Sequence, residues 1–188
     1  MQKEAQETKL YKGKVVVKFY PESHQYWVSV NGDKPKRIKG TTSIIAIKDK
    51  SRALIPWVQE TSAAYLLKLL ASEQGLTQKD VVEAAFASDI VKQKAADLGK
   101  EVHTFVGSYI NQKLKIGEAP KMPDDDNVLK AINAFFEWEA QNKVKFLWTE
   151  KLVYSLKYGY GGLADFCAIV NGKTCLCDLK SGNGLYNE

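Results

Sequence analysis

An Asn-Gly pair, Asn171-Gly172, lies between two runs of residues that favour β-strands. A two-residue type I′ turn needs φ > 0 at both central positions, and Asn-Gly adopts this geometry most readily. The stretch "GGLADFCAIVNGKTCLCDLK" therefore predicts a β-hairpin in which Val170 faces Lys173.

The predicted register brings two carboxylates together. Counted outward from the turn, Asp165 lies opposite Asp178, and the alternation of side chains puts Lys180 on the face of Asp178. Like charges directly opposite each other destabilise a sheet, but a divalent cation bound between them removes the repulsion. Oxygen ligands suit Mg²⁺ or Mn²⁺. A nearby lysine would orient a water and stabilise developing negative charge, as phosphodiester hydrolysis requires.

The residues alone leave a second interpretation open, in which both aspartates lie at a solvated sheet edge without a metal. Gly159, Gly161 and Gly162 precede the first of these aspartates. They either let backbone or a ligand approach closely, or they mark a β-bulge.

Length and composition indicate an ordinary globular protein with a small basic excess. The 188 residues, 45% of them hydrophobic, suffice for one well-buried domain. The net charge of +5 permits binding to nucleic-acid phosphates without demonstrating it. No run approaches the roughly 20 apolar residues of a membrane span, and the N-terminus lacks a signal-peptide core. We therefore expect a cytoplasmic protein with no membrane partner.

The three cysteines, Cys167, Cys175 and Cys177, all lie in the predicted hairpin. An odd number argues against a secreted disulfide framework, and three are fewer than the four ligands typical of zinc or iron–sulfur sites. Cys175 and Cys177 alternate with Asp178, so we interpret them as small hydrophobic residues buried on the opposite face.

Strand signals dominate the N-terminal part of the chain. Residues 14–30 predict two strands around a proline-containing turn, followed by a turn at Asn31-Gly32 and a short strand near Arg37–Lys39. The preceding Glu7-Thr8-Lys9 has the composition of a solvated tail.

Helical signals follow, beginning at "GTTSII", where Thr41 or Thr42 is the candidate N-cap. Two further helices are predicted over residues 53–73 and 88–115. Another begins at a capping box of Thr77 and Asp80 and ends at about residue 87. The last begins at the aspartates 124–126 and ends at about Gln141. A strand over 144–156 leads into the hairpin. This order predicts one mixed α/β or α+β domain over 1–188: a β region at about 10–40, a helical region at about 41–142 and a catalytic sheet at about 144–182.

Four blocks of the sequence together carry a family resemblance. They are "YGYGGLADFCAIVNGKTCLCDLKSG", "LGKEVHTFVGSYI", "WTEKLVYS" and "HQYWVSVNG" followed by "GTTSII". In their order and spacing they resemble the PD-(D/E)XK nucleases, in the branch of RecB-like and of phage and mitochondrial exonucleases. The resemblance implies a restriction-endonuclease-like core, with a central mixed sheet flanked by helices and an N-terminal β-hairpin region.

The resemblance also implies roles for individual residues. Asp165 and Asp178 would be metal-ligating carboxylates for Mg²⁺ or Mn²⁺, and the backbone carbonyl of Leu179 would be a further ligand. Lys180 would position and activate the attacking water.

His103 and Glu150 complete the implied catalytic set: the histidine would help to hold a metal, and the glutamate would support the site. His103 lies four residues from both Gly99 and Gly107, which clears one helix face for a closely packed strand or a ligand. Without the resemblance, His103 would be interpreted as a hydrogen-bonded, partly buried histidine and Glu150 as an ordinary strand-edge charge.

Contacts with DNA are predicted for Lys100 and Lys113, beside the His103 helix, and for Trp57, which would stack on an unpaired base. The alternative for the lysines is a solvated helix face. Trp138 and Trp148 are predicted to be core residues.

Two features depart from the family pattern. Ala164 stands where the family name has proline, and nothing after Lys180 matches the helix with Gln-x-x-x-Tyr that normally follows. We therefore expect either a truncated chain or an incomplete catalytic module. The resemblance implies a metal-dependent DNA exonuclease in phage or bacterial DNA processing, recombination or repair, with a recombination or replication protein as a further partner. The alternatives are a catalytically incomplete DNA-binding or assembly module and a structure-specific endonuclease.

Overall fold

The computed structural model describes residues 5–46, 51–71 and 76–181. These residues fall into two compact units: those within Met1–Ile47 and Val102–Lys180, and those within Lys48–Glu101 and Ser181–Glu188. The predicted organisation as one domain over 1–188 stays a prediction.

The first unit begins with a four-stranded antiparallel sheet. Its strands, in spatial and chain order, are β1 (Gln6–Leu10), β2 (Val15–Tyr20), β3 (Gln25–Val30) and β4 (Lys36–Ile38). Alternate residues of β2 and β3 face a core that includes Val15, Val17, Tyr26 and Val28, as the period of two of a half-buried strand requires. The two strands and the turns around them confirm the prediction for residues 14–39.

The interpretation of Glu7-Thr8-Lys9 as a solvated tail is wrong. These residues belong to β1, which pairs with β2, and Glu7 forms an ion pair of 3.1 Å with Lys18. A strand at a sheet edge keeps charged side chains, so its polar composition did not distinguish it from a tail.

Five α-helices are described: α1 (Thr41–Ile45), α2 (Ser51–Leu70), α3 (Gln78–Ala85), α4 (Ala87–Lys113) and α5 (Asp126–Gln141). The capping box is confirmed, because Thr77 Oγ1 accepts from the Asp80 amide at 3.3 Å and Asp80 Oδ2 accepts from the Thr77 amide at 2.8 Å. The cap predicted for α1 is wrong. Gly40 is the N-cap, in an extended conformation without a side-chain hydrogen bond, so the helix begins at Thr41 itself.

A second antiparallel sheet in the first unit has the order β5 (Val144–Tyr154), β6 (Gly161–Val170) and β7 (Lys173–Cys177). Asn171 and Gly172 have φ of 50° and 82°, and Val170 pairs with Lys173, which confirms the type I′ hairpin.

The mixed α/β composition is confirmed, in the form of an α+β arrangement with two antiparallel sheets. A single central mixed sheet is not formed by the described residues, whose one isolated parallel bridge joins Gly40 to Gly161. Most neighbouring strands are joined by turns of a few residues, and parallel pairing needs a long crossover instead. None of the described helices is long and apolar enough to cross a membrane.

Aromatic side chains fill the space between α5 and the second sheet. Phe135 lies 6.4 Å from Phe146 and 6.2 Å from Phe166, between ring centroids, and Trp138 lies 6.2 Å from Phe166. The prediction that Trp138 and Trp148 are core residues needs correction, because both side chains are only half-buried.

The cysteines also differ from their prediction. Cys167 is buried, whereas Cys175 and Cys177 are only half-buried because β7 is the outer strand of its sheet. Burial raises the pKa of the Cys177 thiol, which disfavours the thiolate that metal binding requires.

Candidate metal centre

His103 lies between two oxygen acceptors in the first unit. Its Nε2 is 3.0 Å from the Leu179 carbonyl oxygen, and its Nδ1 is 3.6 Å from Asp165 Oδ1. A carbonyl only accepts, so Nε2 carries the hydrogen in this contact. The Nδ1 lone pair then faces the carboxylate, and a cation between them would turn this contact into an attraction.

Asp165 is held in place by one backbone donor and one side-chain donor. Its Oδ2 accepts from the Leu179 amide at 2.7 Å, and its carbonyl oxygen accepts from Thr149 Oγ1 at 2.8 Å. The side chain is only 22% exposed. The carboxylate therefore has one fixed oxygen and a second one, Oδ1, that faces His103.

Glu150 has an unusual backbone conformation. Its φ is 47°, in the left-handed region that a residue with a side chain adopts only at a cost. Strand pairing continues on both sides, at Thr149 with Phe166 and at Lys151 with Ala164, but skips Glu150. Strain of this kind in a regular strand is typical of functional positions.

The glycines of α4 make room for partners, as their spacing around His103 predicted. A Cβ atom on Gly107 would lie 3.2 Å from Glu150 Oε1, and one on Gly99 would lie 3.1 Å from Ser181 Oγ. Gly107 therefore allows the Glu150 carboxylate to lie directly against the helix that carries His103.

These residues surround one small cavity. Its polar lining includes His103, Thr149, Glu150 and Asp165, and Val106 and Ile110 of α4 provide an apolar wall. Leu179 also lines it. The volume of about 10 Å³ is close to the smallest space that holds one water molecule. The site is thus the size of a single ion or water.

Asp178 and Lys180 are placed differently from the prediction. The β6–β7 ladder ends at Phe166 and Cys177, one residue before Asp165 would face Asp178, because the Asp165 carboxylate accepts from the Leu179 amide instead. Asp178 Oδ2 lies 2.6 Å from Lys180 Nζ, with the two side chains 67% and 78% exposed. An exposed ion pair contributes at most about 1 kcal/mol, so Asp178 is weakly held in this position.

The donor set fits a hard cation in part. The Asp165 carboxylate and the Nδ1 lone pair of His103 face each other beside one ion-sized cavity, and these donors suit Mn²⁺ and, in the case of the oxygen, Mg²⁺. The Leu179 carbonyl already accepts from His103 Nε2. Across the described ranges, however, no group of three or more His, Cys, Asp or Glu side chains lies close enough together to hold a metal. A third side-chain ligand would have to come from a rotation of Asp178 or Glu150.

The three predicted DNA contacts belong to different units. In the first unit, Lys113 Nζ lies 3.7 Å from Glu139 and 5.1 Å from the Tyr109 ring centroid, and its hydrogen bond with Tyr109 raises the pKa of Lys113. This pairing competes with any phosphate. In the second unit, Lys100 is exposed on α4, and Trp57 is half-buried on α2 with Lys92 Nζ 5.7 Å from its ring centroid.

Two supporting residues were missed by the sequence analysis. Thr149 holds the Asp165 carbonyl, and nothing in the sequence marked it. Thr41 was considered only as a cap, but its hydroxyl lies in the space that a side chain on Gly162 would occupy, and it donates to the Gly161 carbonyl at 3.4 Å. The adjacent glycines were the signal: they allow close approach of another backbone segment.

Comparisons with protein-family models, with curated proteins and with solved structures find no match to this chain. The functional assignment therefore depends on the residues and geometry described above.

Proposed function

We propose that this protein is a metal-dependent deoxyribonuclease that hydrolyses phosphodiester bonds. The observation that carries the proposal is the placement of His103, Asp165 and Leu179 around one ion-sized cavity, with His103 Nδ1 3.6 Å from Asp165 Oδ1. These residues come from a helix, a strand and the segment after the hairpin, so the fold, not local sequence, brings them together.

His103 Nδ1 and Asp165 Oδ1 would hold Mg²⁺ or Mn²⁺, with Asp178 as a further ligand once it turns away from Lys180. The Leu179 carbonyl would join them only after leaving its hydrogen bond with His103 Nε2. When bound, the ion polarises the scissile phosphate and lowers the pKa of a coordinated water. Asp165 is already oriented for this role by the Leu179 amide, and the Glu150 carboxylate lines the same cavity as a supporting acidic group.

Lys180 would act on the water and on developing charge. Its side chain is highly exposed, and among the described residues its ion pair is the weak one with Asp178, so it can approach a bound phosphate. Hydrolysis forms a bond from the water oxygen to phosphorus and breaks the bond to the 3′-oxygen, which takes up a proton. The product then carries a 5′-phosphate. We further propose exonuclease action in phage or bacterial DNA processing, in the cytoplasm and beside a recombination or replication protein.

One observation favours a second candidate function, a DNA-binding or assembly module without turnover. Asp178 and Lys180 pair with each other in solvent, and the cavity itself has two side-chain donors close together, His103 and Asp165. If Asp178 keeps this position, the site binds a cation weakly and lacks its water-activating lysine.

Cleavage of end-labelled linear DNA and of circular DNA, each with Mg²⁺, Mn²⁺ or EDTA, tests the proposal. We expect metal-dependent cleavage by the wild type, and its loss in Asp165→Asn and Lys180→Ala. Asp124→Asn, at an exposed aspartate before α5, is the matched control and should retain activity. Cleavage of linear but not circular DNA indicates an exonuclease, and cleavage of both indicates an endonuclease.

Titration with Mn²⁺ separates the two candidates if cleavage is not seen. Binding that Asp165→Asn abolishes, without cleavage, supports the module without turnover. Neither binding nor cleavage by the folded wild type would contradict the metal centre itself.

A further inference from the structure

We propose that the loop between β5 and β6 is a stacking platform for unpaired DNA bases. This inference rests on the proposed function and adds a substrate-binding site to it. The platform consists of Lys157, Tyr158 and Tyr160, in the first unit. None of the three was among the predicted DNA contacts.

The loop presents its aromatic rings to solvent. Tyr158 is 65% exposed and Tyr160 is half-buried, and their ring centroids lie 6.2 Å apart with an angle of 26° between the planes, so the two rings are close to parallel. Lys157 Nζ lies 4.9 Å from the Tyr158 ring centroid. An aromatic surface with an adjacent cation is the combination with which proteins bind single-stranded nucleic acid.

The exposure is not a consequence of a loosely held loop. The Ser155 amide donates to the Tyr160 carbonyl at 2.9 Å, the Gly159 amide donates to the Ser155 carbonyl at 2.8 Å, and the Tyr158 amide donates to Ser155 Oγ at 3.2 Å. Gly159 has a φ of 68°, which only glycine adopts easily. A loop with these internal bonds loses little further freedom when it binds a ligand.

The position of the loop favours DNA over other partners of aromatic surfaces. The loop leads directly into β6, and Gly161 and Asp165 are four residues apart on that strand, or about 13 Å at about 3.3 Å per residue. The loop and Asp165 are therefore linked by one short stretch of strand, so a DNA strand of a few nucleotides is long enough to contact both. Lys157 supplies a positive charge that attracts a phosphate backbone. An apolar protein partner would gain nothing from that charge.

Base stacking on the platform requires an exposed base face. In a duplex, both faces of an internal base are covered by neighbouring pairs, so only single strands and frayed ends provide such a face. The platform should therefore prefer single-stranded DNA over a blunt duplex.

Fluorescence anisotropy with a labelled single-stranded 20-mer and the matching duplex, in EDTA, tests this without cleavage. We expect Tyr158→Ala to weaken single-strand binding about 5- to 100-fold and Tyr158→Phe to stay within about twofold. Lys157→Ala should reduce the slope of log affinity against log salt by about 0.7. Tyr20→Ala, at a tyrosine 42% exposed on β2, is the matched control and should bind like the wild type.

If Tyr158→Ala, Tyr160→Ala and their double variant bind the single strand as the wild type does, the platform is refuted while the nuclease proposal stands. Equal loss in Tyr20→Ala and Tyr158→Ala also refutes it, because the effect is then not specific to the loop. Failure of the proposed function is seen separately, as absence of metal-dependent cleavage and of Mn²⁺ binding. Far-UV circular dichroism of each variant confirms that it is folded.

Discussion

The left-handed backbone of Glu150 makes a prediction about stability that does not depend on activity. A residue other than glycine is destabilised at φ near 47°, because its Cβ crowds the following carbonyl oxygen. Replacing Glu150 by glycine removes that crowding, whereas replacing it by alanine keeps it. Both variants lack the carboxylate, so their difference isolates the backbone.

The free-energy cost of the Glu150 backbone conformation can be isolated by comparison with Lys151, the next residue of β5, which does not have a positive φ. At Lys151, glycine should be less stable than alanine by about 0.5–1 kcal/mol because of its greater chain entropy. The same entropy applies at Glu150 but is opposed by about 1–2 kcal/mol of left-handed strain. Subtracting one glycine–alanine difference from the other cancels the entropy and leaves about 1–2 kcal/mol.

Urea denaturation of the four variants, followed by circular dichroism and tryptophan fluorescence, measures these differences. We expect Glu150→Gly to be as stable as Glu150→Ala or more stable, and Lys151→Gly to be less stable than Lys151→Ala. Midpoint differences multiplied by a common m-value avoid the error of long extrapolation. Equal glycine–alanine differences at the two positions would show that Glu150 is not strained and would remove it as a marker of the site.

Three further predictions concern packing, pH and metal. Gly162→Ala should destabilise the fold by about 1–3 kcal/mol because its Cβ would overlap the Thr41 hydroxyl. In thermal unfolding, adding Thr41→Ala should restore part of the lost stability. If the stability losses of the two substitutions simply add, the contact is contradicted. Hydrogen bonds from Thr77 lower the pKa of Asp80 in the folded state. The ionised carboxylate therefore stabilises the folded state above pH about 4, the ordinary pKa of an aspartate. This stabilisation is lost as the pH falls through the lowered pKa. The stability difference between wild type and Thr77→Ala, from urea midpoints at pH 6 and pH 3, should therefore narrow on acidification, and a constant difference would exclude the linkage. Mn²⁺ at 100 times its Kd should stabilise the wild type by about 2.7 kcal/mol but leave the melting temperature of Asp165→Asn unchanged; an equal shift in both would locate the ion elsewhere.

Elements fixed by local chemistry could be predicted from the sequence. The Asn171-Gly172 turn has the geometry that its two residues favour, and the Thr77–Asp80 capping box forms with both hydrogen bonds. In each case the signal lies within a few residues, where backbone preference and side-chain capping act directly.

The candidate site was predicted only in part, because long-range contacts decide its geometry. The spacing around His103 indicated a cleared helix face, and Glu150 does approach it at Gly107. The position of Asp178 was not predictable from the hairpin register. The Leu179 amide donates to Asp165 and ends the ladder, and a strand pattern does not show where a side chain will compete with the backbone for a donor.

The hairpin and the candidate site use glycine for two different reasons: backbone conformation in the hairpin and close packing at the site. Gly172 has a φ of 82° and nothing within 4 Å of the place where a Cβ would be, so the backbone conformation requires it. Gly107 and Gly162 have ordinary φ values, but side chains there would meet Glu150 and Thr41. The first kind fixes a turn and costs stability when replaced by any side chain. The second kind allows close packing beside the strand that carries the candidate ligand, so its replacement should be relieved by trimming the neighbour. A catalytic carboxylate needs supporting groups whose positions are fixed to a fraction of an ångström. In this chain, glycines would allow such groups to pack close to the candidate carboxylate.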